Sequence, residues 1–247
     1  MKLSIIFPVL NEEKRLENGV RQTVNYLDKF ENSIDYELII ADNGSTDNTE
    51  KISVKISDEL KNIKYIKLKE KGVGLAIREG GKVVSGDIIG YMDIDLSTDI
   101  SHISDILSIF NKNKNINVVV GSRNLKNSKV YGRSFMREIT SKSLAFIINI
   151  VLGGKFKDYM CGFKFFSRDV FYELIKISSD YKGWFYCAEL LIISDWINLN
   201  IVEFPVTWKD DSENSKVNGK FLKIVRDYLK QILYLRKKKQ FYLKKNF

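Results

Sequence analysis

Little in this 247-residue chain invites a metal cluster, a disulfide framework or a nucleophilic dyad. Histidine occurs once, at His102, and cysteine twice, at Cys161 and Cys187, with no CxxC or Cys/His spacing between them. That excludes a zinc finger or a disulfide scaffold, leaves Cys161 without a nearby base, and fits a reducing cytosol. There are two prolines, and no Pro-, Gly- or Ser-rich stretch precedes the polar run from Lys209 to Asn218, so no internal linker is visible. The longest apolar run, Leu144 to Leu152, is broken by Asn149 and falls short of the roughly 20 residues a bilayer span needs. Met1 to Pro8 offers no signal-peptide core of adequate length. No segment is expected to cross a membrane by itself. Gly72 and Gly74 begin a dinucleotide-type glycine pattern, but position 77 is Ile and the third glycine is missing; a Walker lysine is missing too.

What is present is a core. At 44% hydrophobic residues the chain can bury one large α/β unit, expected from residue 1 to 218, followed by a basic tail from 219 to 247. The net charge of +9 is concentrated at that end. Lys209 to Phe247 carries twelve Lys/Arg against four Asp/Glu, which leaves 28 against 27 in the rest. A neutral body with a basic end points to an anionic surface touched by that end, and away from nucleic acid.

Periodicity alternates strand and helix. Leu3 to Val9 reads as a buried strand, with Asn11 expected to cap a helix from about Glu12 to Phe30. Strand Tyr36 to Ala41 precedes a turn in which Asp47 is expected to cap a helix to about Leu60, with Glu50 reaching back. Strand Lys64 to Leu68, helix Val73 to Val84, strand Asp87 to Met92, helix Ile100 to Asn111 and strand Asn117 to Gly121 follow. Beyond Arg133 come a long helix to about Leu152, a loop around Asp158 to Lys164, two helices and strand Ile201 to Val206. Such alternation predicts an α/β fold with a doubly wound, mostly parallel sheet and ligands beyond the carboxyl ends of its strands. Phe163, Phe165, Phe166 and Phe171 read as core.

Asp93-Ile94-Asp95 stands at one such strand end. Two hard oxygen ligands on alternate positions suit Mg²⁺ or Mn²⁺ bridging to a diphosphate. Other strand ends carry Pro8-Val9-Leu10-Asn11-Glu12-Glu13, Asp42-Asn43-Gly44-Ser45-Thr46-Asp47 and Lys71-Gly72-Val73-Gly74-Leu75-Ala76. With these motifs the chain resembles glycosyltransferase family 2, of the GT-A fold. Val120-Gly121-Ser122-Arg123, Arg137, Asp158 to Lys164 and Glu203 to Trp208 ahead of Ser215-Lys216 resemble its dolichyl-phosphate sugar synthases, the glucosyltransferase branch above all.

The resemblance implies an inverting, metal-dependent transferase that moves a sugar from a nucleotide sugar donor, UDP-linked in preference to GDP-linked, to a polyprenyl or dolichyl phosphate acceptor; the alternatives are a family 2 enzyme acting on a sugar hydroxyl of a glycolipid or polysaccharide and a non-catalytic basic binding protein. It implies that Pro8, Leu10 and Glu12 line the nucleotide pocket, that Asp42 bonds the base, and that Asp93 and Asp95 hold the metal, Asp93 also reaching ribose. Arg123, Arg137 and Lys216 would bind phosphates, with Asp158 near the reacting centre. The pattern departs from the family at Asn43, where a second Asp is usual, and at Cys187, where an Asp is usual while Glu189 remains. In the tail, Phe221, Val225, Tyr228, Ile232 and Leu235 line one face of an amphipathic helix, and Arg236 to Lys239 with Phe241 and Tyr242 have the composition of a segment lying on anionic lipid. A peripheral location on the cytoplasmic face of a membrane is the resulting expectation.

Overall fold

The computed structural model describes residues 1–30, 34–210 and 221–244. Its elements run β1 (Lys2–Val9), α1 (Leu16–Leu27), β2 (Asp35–Asp42), α2 (Thr49–Glu59), β3 (Ile63–Lys67), α3 (Val73–Gly81), β4 (Ile88–Met92), α4 (His102–Lys112), β5 (Val118–Ser122), β6 (Lys129–Tyr131), α5 (Phe135–Leu152), β7 (Phe163–Ser167), α6 (Arg168–Ile177), α7 (Tyr186–Trp196), β8 (Ile201–Pro205), β9 (Thr207–Lys209) and α8 (Phe221–Leu243).

A seven-stranded sheet has the order β3-β2-β1-β4-β7-β5-β8. All its pairings are parallel except those of β7, which runs antiparallel between β4 and β5. The strands are apolar throughout because both faces are covered. Ile6, Ile39, Ile89, Tyr91, Val118, Val120 and Phe166 face one hydrophobic cluster; Ile5, Phe7, Leu38, Ile40, Met92, Val119 and Phe165 face the other. The chain leaves β1 toward β2 and later returns to β4 on its other side, so the winding reverses between β1 and β4. A crevice opens beyond the carboxyl ends of strands at such a switch point.

Three expectations are corrected here. The first helix begins at Leu16, not Glu12, because Asn11 adopts a left-handed backbone (φ 53°) and residues 12–15 form a turn. The N-cap of that helix is Arg15, and Asn11 Oδ1 instead accepts the Thr46 amide at 2.8 Å, tying the first loop to the second. Asp47 accepts the Thr49 amide of the next helix, but Glu50 pairs with Lys67 instead of reaching back. The third correction concerns Phe163 to Ser167, whose aromatic run is the central strand β7, with all four Phe of the predicted core fully buried. Lys164 disguised it. Its ammonium is buried, donates to the Cys161 carbonyl and lies 5.9 Å from the centre of the Tyr91 ring.

The apolar face of α8 is spent on the protein itself. Ile232, Leu235 and Tyr242 are buried, Tyr228 meets Phe185 (5.4 Å between ring centres) and Tyr242 meets Trp196 (5.8 Å). Lys239 donates to the Leu152 carbonyl at 2.8 Å, at the C-terminus of α5, where a cation is favoured. Tyr242 and Lys239 are therefore not available to lipid, whereas Arg236, Lys237, Lys238 and Phe241 stay exposed. Among the described residues no helix is long and apolar enough to cross a membrane.

Candidate active site

Every described candidate residue lies along one edge of the sheet, where β1, β2, β4, β5 and β8 end and β7 begins. Pro8 lies near the end of β1, Leu10 and Glu12 follow it, and Asp42 closes β2. Glu12 is nearly buried; its Oε2 accepts Arg15 Nε at 2.8 Å, and its amide donates to Thr49 Oγ1 at 2.7 Å. Arg15 also approaches Asp95 at 3.9 Å. The turn that replaces the first expected helical residues thus puts a guanidinium between the two groups of carboxylates, a placement that helical periodicity hides.

Asp42 is fully buried and accepts the Ser45 amide at 2.9 Å and the Tyr65 hydroxyl at 3.2 Å. Each carboxylate oxygen can accept a second bond, so these contacts orient the group without exhausting it. Its neighbour Asn43 is a positioning residue that sequence reading passed over as a mere departure. Its amide nitrogen donates to the Val9 carbonyl at 2.7 Å, and its oxygen accepts the Gly72 amide at 3.0 Å. One side chain thereby links the ends of β1 and β2 to the start of α3. The position needs a donor and an acceptor at once, which an ionised Asp cannot supply.

Asp93 and Asp95 follow β4. Asp95 Oδ1 accepts the Ser97 amide at 2.9 Å, and the left-handed Leu96 (φ 53°) turns the chain between them. Gly162 lies across from Asp93, where a Cβ would come within 2.2 Å of its carboxylate; only glycine allows that approach. Burial first, then the charge of Asp95, raises the Asp93 carboxyl well above the ordinary range, against the opposing pull of Arg123 and Lys164. Such a crowd of carboxylates fits a divalent cation, which neutralises what desolvation penalises. Two carboxylates fall short of a full protein cage: among the described residues no group of three or more potential ligands converges. That suits Mg²⁺ or Mn²⁺, which retain waters and substrate phosphates in their shells.

The opposite flank is built on charge. Arg123, at the end of β5, makes a fork to Asp158 (Nε to Oδ2 2.7 Å, Nη2 to Oδ1 2.9 Å), and its amide donates to Oδ2 at 3.1 Å. Asp158 Oδ1 also accepts the Met160 and Cys161 amides at 3.0 and 3.1 Å. Burial would raise this carboxyl, but the charge and hydrogen bonds of Arg123 outweigh it and hold it down to about 2. Glu203 of β8 fixes the same loop by accepting the Lys157 and Asp158 amides, each at 3.0 Å. Arg137 pairs with Asp210. Trp208 lies beneath two guanidiniums, Arg123 at 5.5 Å and Arg133 at 5.9 Å from its centroid. Lys216, the remaining expected phosphate ligand, lies outside the described residues. The lone His102 is structural, bonded to Asp105 (2.7 Å) and the Thr207 amide (2.8 Å). Glu189 is structural too, buried and accepting the amide and hydroxyl of Ser179 at 2.6 and 2.7 Å.

A mostly parallel sheet wound this way, with paired carboxylates at its switch point and an arginine cluster beyond, has the architecture of the GT-A transferases. The family described as Glycosyl transferase family 2 matches residues 4–175, and the chain belongs to it. It is similar to the dolichyl-phosphate beta-glucosyltransferase ALG5A of Trichomonas vaginalis, 31% identical over 245 residues, covering 95% of this chain and 74% of that protein. The human dolichyl-phosphate beta-glucosyltransferase is 29% identical over 229 residues, covering 87% and 69%. Glycosyltransferase AglD of Haloferax volcanii is 29% identical over 230 residues; these cover 93% of this chain but only 35% of that protein, so the chain spans about a third of it. In fold it resembles the crystal structure of glucosyl-3-phosphoglycerate synthase from Mycobacterium tuberculosis in complex with Mn²⁺, UDP-glucose and phosphoglyceric acid, with a TM-score of 0.69, 18% identity, and 95% and 79% of the two chains covered.

Proposed function

We propose that this chain is an inverting transferase that moves a hexose or N-acetylhexosamine from a UDP-sugar to a polyprenyl or dolichyl monophosphate. The observation that carries the reading is Asp158. It is the buried carboxylate paired with Arg123, and a group held near 2 by a buried guanidinium fork is a poor proton acceptor at neutral pH. A sugar hydroxyl would need a base to become a nucleophile. A phosphomonoester has a second pKa of about 6 and is largely a dianion at neutral pH, needing cations to place it more than a base. The flank offers cations, and Asp158 is withheld as a base. The names of the relatives, dolichyl-phosphate beta-glucosyltransferases, support the same acceptor and a glucosyl donor.

Asp93 and Asp95 would hold Mg²⁺ or Mn²⁺, which supplies Lewis-acid stabilisation to the departing nucleoside diphosphate. The mycobacterial synthase of similar fold was crystallised with Mn²⁺ and UDP-glucose, which supports that choice. Around it, Glu12 and Arg15 orient Asp95, while Asp42 and Asn43 shape the loops that face the nucleotide. A lipid acceptor calls for membrane contact. Here α5 leaves Phe135, Met136, Ile139, Phe146 and Ile150 exposed, and α8, packed against it, leaves Leu233 and Phe241 exposed beside Arg236, Lys237 and Lys238. We assign these helices to an anionic membrane surface, peripherally and on its cytoplasmic face, with no role for nucleic acid.

The test is incubation with a panel of UDP- and GDP-sugars and a polyprenyl phosphate, the lipid product being identified by mass spectrometry. Sugar-bearing polyprenyl phosphate from a UDP-sugar is the expected product. Transfer to free polyprenol or to a glycolipid hydroxyl with equal efficiency would put a hydroxyl-directed transferase in its place.

A further inference from the structure

Three guanidiniums crowd the acceptor flank, and two of them are already answered by carboxylates. Arg123 gives its fork to Asp158, and Arg137 is paired with Asp210. Arg133, in the turn between β6 and α5, stands apart. It is half-buried, and among the described residues its side chain makes one hydrogen bond, from Nη1 to Asn124 Oδ1, long at 3.3 Å. Its guanidinium lies over the same Trp208 ring as that of Arg123. Among the described residues no carboxylate lies within the 4.0 Å ion-pairing distance of it. Asn124 is itself anchored, donating to the Lys157 carbonyl at 2.8 Å and to Ser141 Oγ at 3.3 Å, so the arginine is steered without being neutralised.

The energetics of that arrangement are one-sided. Burial first, and then the neighbouring charge of Arg123 with Arg137 behind it, weakens the hold of Arg133 on its proton, and the attraction of Asp158 and Glu138 does not make up the difference. A desolvated cation beside two others is costly unless an anion joins it. Stacking on tryptophan lowers the cost without supplying a counter-charge. What fits is a multidentate anion that accepts two parallel bonds from a guanidinium fork; carboxylate and phosphate both do so, and the acceptor proposed above makes it a phosphate.

We propose that Arg133 is the anion-binding residue of the acceptor side, taking the phosphomonoester directly, while Arg123 and Arg137 set the field around it from within their own ion pairs. The inference rests on the phosphate-acceptor reading above and sharpens it. The phosphate is held by the guanidinium that, among the described residues, lacks a carboxylate partner, and Trp208 is the floor of that subsite.

Trp208 makes the subsite observable. Tryptophan fluorescence of the full chain is titrated with farnesyl phosphate, farnesol and inorganic phosphate, and UDP binding with Mn²⁺ and thermal melting serve as independent controls. For Arg133→Gln, affinity for farnesyl phosphate is expected to fall about 10- to 100-fold, the loss of one or two charge-assisted bonds, with UDP binding and Tm unchanged. Arg133→Lys, which keeps the charge but not the fork and guards against a folding artefact, should recover part of the loss. In turnover the effect belongs in KM for the lipid phosphate and not in KM for the nucleotide sugar. Equal affinity of wild type, Arg133→Gln and Arg133→Lys for farnesyl phosphate overturns the assignment and leaves the function standing. Farnesyl phosphate and farnesol binding alike to wild type overturns both. If inorganic phosphate binds with Arg133 dependence while farnesyl phosphate gains nothing from its chain, Arg133 stands as the anion residue and the lipid acceptor falls.

Discussion

Asp158→Asn tests the acceptor flank most sharply because it removes one charge and almost no volume. Five donors converge on this carboxylate: the amides of Arg123, Met160 and Cys161, and Nε and Nη2 of Arg123. An asparagine can keep its oxygen toward the three at Oδ1, but it then turns an NH₂ donor toward the two at Oδ2. The carboxyl, held from an ordinary 3.8 down to about 2, carries on the order of 2.5 kcal/mol of stability. Because the folded value is depressed, that stability is fully present above about pH 4 and is lost as pH falls through 2. The substitution also leaves Arg123 buried without its partner, so the total cost is about 3–5 kcal/mol. In a chain of this size that lowers Tm by roughly 10 °C. The assay is thermal melting at pH 7, followed by kinetics well below the new Tm. There kcat should fall less than in Asp95→Ala, and the pH profile of kcat/KM should keep its shape. An unchanged Tm would refute the buried-pair argument. An acidic limb near pH 6–7 that disappears in Asp158→Asn would make Asp158 a general base after all.

Asp95→Ala should abolish turnover while leaving Tm within a few degrees, since the loss of a metal partner at the leaving diphosphate is worth several kcal/mol; EDTA should mimic it and added Mn²⁺ restore the wild type alone. Asn43→Asp removes the bond to the Val9 carbonyl and sets a carboxylate against it, at a cost of about 1–3 kcal/mol. Its folded pKa is then raised above the unfolded one, so the deficit in urea midpoint should be larger at pH 7.5 than at pH 4.5; a pH-independent deficit would contradict this. Replacing Arg236, Lys237 and Lys238 together by Gln should weaken sedimentation with acidic liposomes by about 1 kcal/mol per residue, and added salt should do the same to the wild type. Truncation is the poorer test, because Lys239 and Tyr242 hold α8 to the core and their loss would expose Leu152 and Trp196.

The alternation of strands and helices was legible because both faces of the sheet are covered, so each parallel strand announces itself as an apolar run. The carboxylate pair was legible for a related reason: a switch-point site must lie at strand ends, and Asp93-Ile94-Asp95 directly follows one. The strand β7 was not, since a buried lysine inside an aromatic run breaks the pattern, and its charge is answered only in three dimensions, by the Cys161 carbonyl and the nearby carboxylates. Arg15 was lost to a helix assigned four residues too early. For α8, periodicity gave the apolar face but not its destination. Apolar residues at three- and four-residue steps serve a membrane and a core equally well, and only Phe185, Trp196 and the end of α5 decide for the core.

The two flanks of the site are organised by different physics. On the nucleotide side the loops are bound to one another largely by neutral hydrogen bonds: Asn11 to Thr46 and Ser45, Asn43 to Val9 and Gly72, and Glu12 through its amide to Thr49. Such bonds are short-ranged and geometric, so they fix a shape before any ligand arrives and depend little on salt. On the acceptor side Arg123, Asp158, Arg133, Arg137 and Asp210 interact through charge, which acts over longer distances and is strengthened by burial. A shape-defined flank suits a ligand whose base and ribose must be recognised in detail. A charge-defined flank suits one whose recognisable part is a single phosphate on a featureless chain. The asymmetry of the site matches the asymmetry of the two proposed substrates, and it gives a reason for Arg133 having no carboxylate partner among the described residues: a fully neutralised flank would have nothing with which to draw the phosphate in.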